Sequence, residues 1–551
     1  MDSSNRNMQC TFFDFLIKDE KIIQPTTEDI SSSISIEVFD DKLLTKYNLY
    51  SLKDYELDIL NFGLENTWNY LCEYILKYKN TNKFLNYSNL SELYEIGLAI
   101  SDKQQKKESG QYYTPDDVAL IMSTWFDKCK GINVCDVACG TGKLVLTYFD
   151  YIGRDRTLKI LKNGNLYLYD LDKTALKICK TILILKYGKE YSELIHDINC
   201  DFLDSNIQLP HDCKVISNPP YSQIKQISMN WDKTEVLLKT KELYSAFMEK
   251  IITQSKSSVI ISPYSFIGGN KFYSLRKLMN DKNGFIVSFD NVPGNIFCGK
   301  KHGIFNTNTS NSVRAAITIV ENLPNLKGFK LSPLIRFKNE ERKNLLKTDV
   351  IERFIYDKYQ IVSKKNPKYY KCEKHLGDLW TLWEQKSNKH LYNYIVQYGE
   401  YVLSMPNTCR YYTSASNGKM NRNGQITLCF NDEEVFNYVY CMINSSFVYW
   451  YWRLFDGGIT YPRGLLLDMP IFYDLLSEND KKFFNKTAQE MIKNSSSFIV
   501  KKNNIGIQEN IKFPRKYRDR INKRFLDILG LDIDVKIFDI VHSNMALEVN
   551  V

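Results

Sequence analysis

The chain has 551 residues, 44% of them apolar and 25% charged, with 73 Lys and Arg against 64 Asp and Glu for a formal charge of +9. These proportions exclude wholesale disorder and collagen-like repetition, and no run of 18 apolar residues is present to span a membrane. The mild positive excess is compatible with a polyanionic partner and does not demand one. At roughly 100–200 residues per domain, the length suggests about three to five domains or lobes. The first 25 residues carry acids and no long apolar core, unlike a secretory leader. The 13 cysteines are scattered without a Cys-x-x-Cys pair, and the six histidines are widely spread. A reduced, cytoplasmic chain with neither a disulfide framework nor a metal module is expected.

Residues 1–105 read as a polar tail and a helical extension. Leu57, Leu60, Leu64, Trp68, Leu71 and Ile75 recur there at helical spacing. No chemistry is visible in it. A second region, 106–330, begins with Thr114 as an N-cap and Pro115 at the first helical position. Asp116 and Asp117 follow, where acids favour a helix start. Val118, Ile121, Met122 and Trp125 then form one apolar face. By itself this is a well-capped helix.

Short apolar runs then alternate with helical patterns: 133–137, 166–169, 214–217, 259–262, 285–289 and 315–320, with a helix over 172–186. That alternation predicts an α/β fold, a doubly wound and mostly parallel sheet covered on both faces. Between the first run and a helical stretch lies Asp136-Val-Ala138-Cys-Gly140-Thr-Gly142. Its glycines permit a tight turn and close approach of a ligand to the backbone. The spacing is neither Gly-x-Gly-x-x-Gly nor a phosphate-binding P-loop. The next run ends in Asp170 and Asp172, and an acid there can accept from both ribose hydroxyls. A glycine turn with a helix-capping acid explains the same residues. Asp201 and Phe202 add an acid able to accept from an exocyclic amine and a ring able to stack on adenine, although acids at strand ends are common.

After the run 214–217 comes Asn218-Pro219-Pro220-Tyr221. Two prolines remove two backbone donors and stiffen the loop, while their carbonyls remain acceptors. The Asn218 amide oxygen and the Pro219 carbonyl can both accept from one planar NH2 group. Holding both hydrogens weakens conjugation of the nitrogen lone pair with its ring and exposes it to an electrophile. Tyr221 can stack on the base that carries the amine. Catalysis would come from positioning and fixed dipoles, with no shifted pKa required. An isolated Asn-Pro-Pro is more often an ordinary turn.

Residues 331–551 mix helix and strand signals and predict a separate α+β domain. Lys501–Arg524 holds nine Lys and Arg against two acids. Lys512, Arg515, Lys516 and Arg518 are the candidate phosphate contacts, since basic residues give salt-dependent affinity for nucleic acid. A solvated helix face accounts for such a run as readily.

Taken in order, the Thr-Pro helix start, glycine loop, strand-end acid, Asp-Phe and Asn-Pro-Pro-Tyr resemble the amino-group DNA methyltransferases that use S-adenosylmethionine. The likeness is to the adenine-N6 branch, in which cofactor motifs come first and target recognition last. It covers about 110–320 and reaches more loosely to Asn444–Trp452 and Leu466–Ile471, which resemble the end of such recognition domains. The resemblance implies a restriction-modification enzyme acting on a flipped adenine in double-stranded DNA, with a partner restriction endonuclease. It places Thr114 and Pro115 by the cofactor's methionine end, and Asp136, Ala138 and Gly140 along the cofactor loop. Asp170 would take the ribose, and Asp201 with Phe202 the cofactor adenine. Asn218 and Pro219 would hold the target amine, with Tyr221 on one face of the base and Phe297 on the other. A polar insertion, about 300–311, departs from the family pattern and makes Phe305 a rival to Phe297.

Competing readings keep the cofactor and change the acceptor to RNA or a protein glutamine, or make the chain a non-catalytic modification subunit. The length and the Thr-Pro segment before the glycine loop favour DNA. Asn218 at the first motif position leans towards adenine, where serine more often marks a cytosine-N4 enzyme.

Overall fold

Runs of β-branched and aromatic residues too short for helices become strands when turn formers bound them. In a computed structural model of the chain they build one eight-stranded sheet. The structure describes residues 114–298, 313–322, 328–355, 369–504 and 506–547. The helical extension expected over 1–105, and Phe305, lie outside the described residues.

The strands are β1 Asn133–Val137, β2 Leu166–Asp170, β3 Ile195–Asn199, β4 Cys213–Ser217, β5 Ser257–Pro263, β6 Asn283–Phe289, β7 Ala315–Glu321 and β8 Gly328–Ile335. Their order is β3-β2-β1-β4-β5-β7-β6-β8. All run parallel except β7, which is antiparallel to both β5 and β6. Six of the eight coincide with the apolar runs of the sequence. β3 lies outside those runs because it is an edge strand: Ile195 is buried while His196 and Asp197 are exposed, so no apolar run marks it. β8 carries the sheet past residue 330.

Helices α1 Asp116–Lys128, α2 Lys143–Ile152, α3 Arg154–Lys162 and α4 Lys173–Tyr187 cover one face of the sheet, while α5 Glu235–Thr240, α6 Leu243–Gln254 and α7 Tyr273–Asn280 cover the other. Successive strand residues serve the two layers in turn. Val134, Ile216, Ile261 and Val287 join the first core, and Cys135, Val215, Ile260 and Ile286 the second. The chain leaves β1 towards β2 and β3, then returns to add β4 and β5 on the other side. This reversal opens a crevice beyond the carboxyl ends of β1 and β4, where open α/β sheets place their ligands.

The last third has its own core. It holds a small antiparallel sheet centred on Tyr401–Pro406 and helices α8 Gly377–Lys386, α9 Glu433–Ile443, α10 Ser446–Phe455, α11 Glu478–Lys493 and α12 Arg515–Ile528. Every residue of α10 is buried, with Trp383 stacked on Trp450 and Phe447 against Phe525. Asn444 bonds both backbone groups of Ala415. The stretch Asn444–Trp452 is thus packing, not a surface for a ligand.

One buried charge cluster joins the sheet to this last third. Asp290, directly after β6, is 2% exposed and accepts from Arg314 Nε at 2.8 Å and Arg336 Nη2 at 3.1 Å, with Arg453 Nη1 of α10 at 3.4 Å. Arg336 also donates to the Arg410 carbonyl and Tyr449 hydroxyl, and Arg453 to the Leu334 carbonyl. Burial pushes the Asp290 carboxyl up, but the three guanidiniums overcome it and hold the pKa below 3.8. Asp290→Asn would leave three buried cations without their counter-charge. A loss of about 3–5 kcal/mol is expected in denaturant titration at pH 7. A depressed folded pKa stabilises above the unfolded value and loses that contribution as pH falls through the folded value. The gap between wild type and variant should therefore close in acid; a gap independent of pH would contradict the assignment.

Candidate active site

The crevice at β1 and β4 is a cleft of about 340 Å³ whose wall includes Thr114, Ala138, Gly140, Asp170, Asp201, Phe202, Asn218, Pro219 and Pro220. The loop after β1 turns through Ala138 at φ 58°, Gly140 at φ 54° and Gly142 at φ 90°. Only the two glycines adopt such angles without strain. A side chain built on Gly140 would meet nothing within 4 Å, so the loop presents bare backbone to open space.

Asp170 ends β2 beside that loop. Its Oδ2 accepts from Gly140 N at 2.6 Å and its Oδ1 from Asp172 N at 2.8 Å. Asp172 instead caps α4 by accepting from Ala175 N at 3.1 Å. The structure thereby separates two neighbouring acids that sequence treats alike. Burial raises the Asp170 pKa from 3.8 to about 6, against backbone hydrogen bonds from Asp172, Gly140 and Leu171 that lower it. Asp136 stands beneath the loop and not in the cleft wall. It is fully buried and accepts from Val145 N at 3.1 Å, bracing the first turn of α2, while its Oδ1 has no partner among the described residues.

Asn218 follows β4 across the cleft. Its Nδ2 donates to Thr114 Oγ1 at 3.0 Å, and its Oδ1 accepts from the Tyr221 hydroxyl at 2.8 Å. This corrects the role expected for Thr114. The N-cap position is held by Pro115 in an extended conformation, without a side-chain cap, and α1 starts one residue later than expected. The Thr114 hydroxyl is therefore available to orient the amide. Ser217 Oγ donates to the Val137 carbonyl at 2.6 Å, tying the end of β4 to the glycine loop.

At the far end, Asp201 Oδ1 accepts from Leu203 N at 3.0 Å and Oδ2 from the Trp231 indole at 2.7 Å. Phe202 packs against Tyr169 and Phe247, with the Lys250 ammonium 5.1 Å from its ring centre. Trp231 lines the same cleft. No local pattern around Trp231 marks it; the contact spans 30 residues and exists only through the fold. Phe297 is fully buried, and its ring meets that of Tyr221 edge-on at 5.9 Å.

The basic segment in the last third divides into two kinds of residue. Arg515 forks onto Asp519 and Asp539, Arg520 pairs with Glu490, and Arg524 with Asp480. Arg518 is half-buried. Lys512 and Lys516 are exposed and not ion-paired among the described residues. Among the described residues, no group of three or more His, Cys, Asp and Glu is placed to hold a metal, and no helix is long and apolar enough to cross a membrane.

Residues 86–360 match the family model described as N-6 DNA Methylase. The chain is 22% identical over 293 residues to the type I restriction enzyme MpnII methylase subunit of Mycoplasma pneumoniae, covering 48% of this chain and 50% of that one. It is 27% identical over 198 residues to the type II methyltransferase M.BsuBI of Bacillus subtilis, covering 32% of this chain and 38% of that protein. Among solved structures it is similar to a type I restriction-modification methyltransferase subunit from Streptococcus thermophilus, at 16% identity and a TM-score of 0.31 over 44% of this chain and 52% of the other. The chain thus spans half or less of the length of the two sequence relatives.

A raised carboxyl pKa opposes folding once the group ionises. Ionised Asp170 should therefore destabilise the protein as pH rises from 3.8 to about 6, by up to about 3 kcal/mol at 1.36 kcal/mol per unit. Asp170→Asn should remove that part of the decline in stability curves recorded across this window. Parallel curves would show that Asp170 does not titrate there.

Proposed function

We propose, on the premise that residues 86–360 form a domain of the N-6 DNA methylase family, that the chain transfers a methyl group from S-adenosylmethionine to the N6 amine of an adenine extruded from duplex DNA. One observation carries this reading: the Asn218 amide, anchored at both ends, shares a single cleft with the bare Gly140 loop. An amine clamp and a nucleoside cradle face one another.

The residues present fit the cofactor. Asp170 has a second lone pair on each oxygen for ribose hydroxyls, and Asp201 with Phe202 offers an acceptor and an apolar ring at the other end of the cleft. S-adenosylmethionine supplies an electrophilic methyl carbon on a sulfonium. Everything else falls to the chain. The Asn218 oxygen, kept in place by Tyr221, would take one hydrogen of the target amine, and the Pro219 carbonyl the other. These fixed dipoles withdraw the amine's lone pair from the ring and aim it along the cleft. Because Thr114 holds the amide nitrogen, the oxygen is turned to the amine before the substrate arrives. Tyr221, itself held by its hydroxyl, provides one stacking face, and Phe297 the other after it withdraws from Tyr221.

Extrusion costs a few kcal/mol that stacking and edge hydrogen bonds recover. The last third is the proposed recognition domain, with Lys512 and Lys516 as its phosphate contacts. One relative's name, a methylase subunit of a type I restriction enzyme, supports a restriction-modification setting, in which a separate nuclease would be the partner.

The decisive experiment incubates the full chain with duplex DNA of mixed sequence and methyl-labelled cofactor, then identifies the modified base. N6-methyladenine within a defined flank is expected, and label only in RNA or protein would replace this reading. Asn218→Ala should cut turnover by about 10²-fold or more while cofactor affinity holds, as for loss of a preorganised polar group. Turnover near wild type would remove Asn218 from the chemistry. Separately, replacing both Lys512 and Lys516 with Ala should reduce the slope of log affinity against log salt by about 2. An unchanged slope would place the phosphate contacts elsewhere.

A further inference from the structure

The segment that carries Phe297, a buried wall behind Tyr221 and outside the residues that line the cleft, is held by one arginine that no sequence motif marks. Arg342 opens the short helix Arg342–Leu345 after β8 and is 9% exposed. Its Nε and Nη2 fork onto Asp117 Oδ2 and Oδ1 at 2.6 and 2.8 Å. Its Nη1 donates to the Asn295 carbonyl at 2.9 Å and Nη2 also to the Ile296 carbonyl at 2.7 Å. One guanidinium thus joins the first turn of α1 to the two residues immediately before Phe297. Two further backbone bonds brace the same loop from the same side: Asp290 N to the Ile335 carbonyl and Gly294 N to the Phe337 carbonyl, each 2.8 Å.

The neighbouring acid points the other way. Asp116 pairs with Lys143, the first residue of the helix that follows the glycine loop. Immediately upstream, Thr114 anchors Asn218. The four residues from Thr114 to Asp117 therefore touch the amine clamp, the cofactor loop's helix and, through Arg342, the Phe297 wall.

We infer that Arg342 is a positioning residue for the acceptor base: it keeps the Phe297 segment in register with the Thr114–Asn218 anchor as that segment moves aside, with the start of α1 as the common mount. The inference rests on the adenine-methylation reading. Tyr221 and Phe297 touch edge-on, so a base can stack between them only when the wall withdraws. Tyr221 is tied to Asn218 and cannot yield without disturbing the clamp. The wall must therefore move, and Arg342's bonds to two consecutive carbonyls make the segment move as a unit about Asp117. Without them those carbonyls lose their donors and the wall loses its register, and small displacements of a positioning group cost up to about 10²-fold in rate.

The test uses the full chain. Arg342→Gln removes the charge and the fork, and Arg342→Lys keeps the charge without the fork. For each, cofactor binding is measured by titration calorimetry, and kcat and KM are measured on mixed-sequence duplex DNA. Both variants are expected to bind cofactor within about threefold of wild type while kcat/KM for DNA falls by about 10- to 100-fold. Asp117→Asn combined with Arg342→Gln should be no worse than the poorer single variant, since both act through one pair. Unchanged kcat/KM in Arg342→Lys, or equal losses of cofactor and DNA parameters in both variants, would reduce Arg342 to general fold support and overturn the inference. A wild-type chain that methylates no DNA would instead defeat the function reading, and the two failures are told apart by that control.

Discussion

An amide can hold an amine only if its oxygen faces the right way, and a free asparagine side chain does not keep its orientation. In this chain two hydroxyls do the orienting. Thr114 takes the Asn218 nitrogen and Tyr221 supports the oxygen. The partners come from opposite sides, one from the start of α1 and the other from three residues along the same loop. The proposed chemistry of the cleft depends on this arrangement, because among the described residues Asn218 is held by hydroxyls and not by an acid or a base. Rigid, correctly signed dipoles are what remain to lower a barrier.

The same economy governs the acids around the cleft. Asp170, Asp172 and Asp201 line the cleft and Asp136 lies buried beneath its loop, and each has a different task because each meets different donors. Asp136 braces α2, Asp172 caps α4, Asp170 holds the glycine loop with lone pairs to spare, and Asp201 is engaged by an indole. Burial of a carboxylate without enough donors raises its pKa, as at Asp170; burial among three guanidiniums lowers it, as at Asp290. The cluster at Asp290 binds the loop after β6, the strand-end arginine after β8 and helix α10 into one unit. The loop that bears Phe297 is therefore tied through Asp290 to the last third of the molecule.

Charge and aromatic content mean different things once folded. The basic stretch in the last third is largely compensated by acids from distant segments, leaving two exposed lysines of the four named candidates without such partners. The Tyr- and Trp-rich stretch before Phe455, which resembles the end of a recognition domain, is buried throughout in a core, because a helix apolar on every side is stable only when surrounded.

Local order was legible without coordinates. Strand periodicity placed six strands, the glycine loop and the Asn-Pro-Pro-Tyr turn fell at strand ends, and the spacing of these motifs along the chain pointed to a nucleoside cleft facing an amine clamp. Each of those signals is short-range: a turn, a cap or an alternating face is set by residues within a few positions of one another. What only the tertiary structure decided is which distant groups satisfy which buried polar atom. Thr114 reaches Asn218 across 104 residues, Arg342 reaches Asp117 across 225, and Trp231 reaches Asp201 across 30. A buried donor or acceptor must find a partner, but nothing in its own neighbourhood says which one, and the answer appears only when the sheet brings the strand ends together.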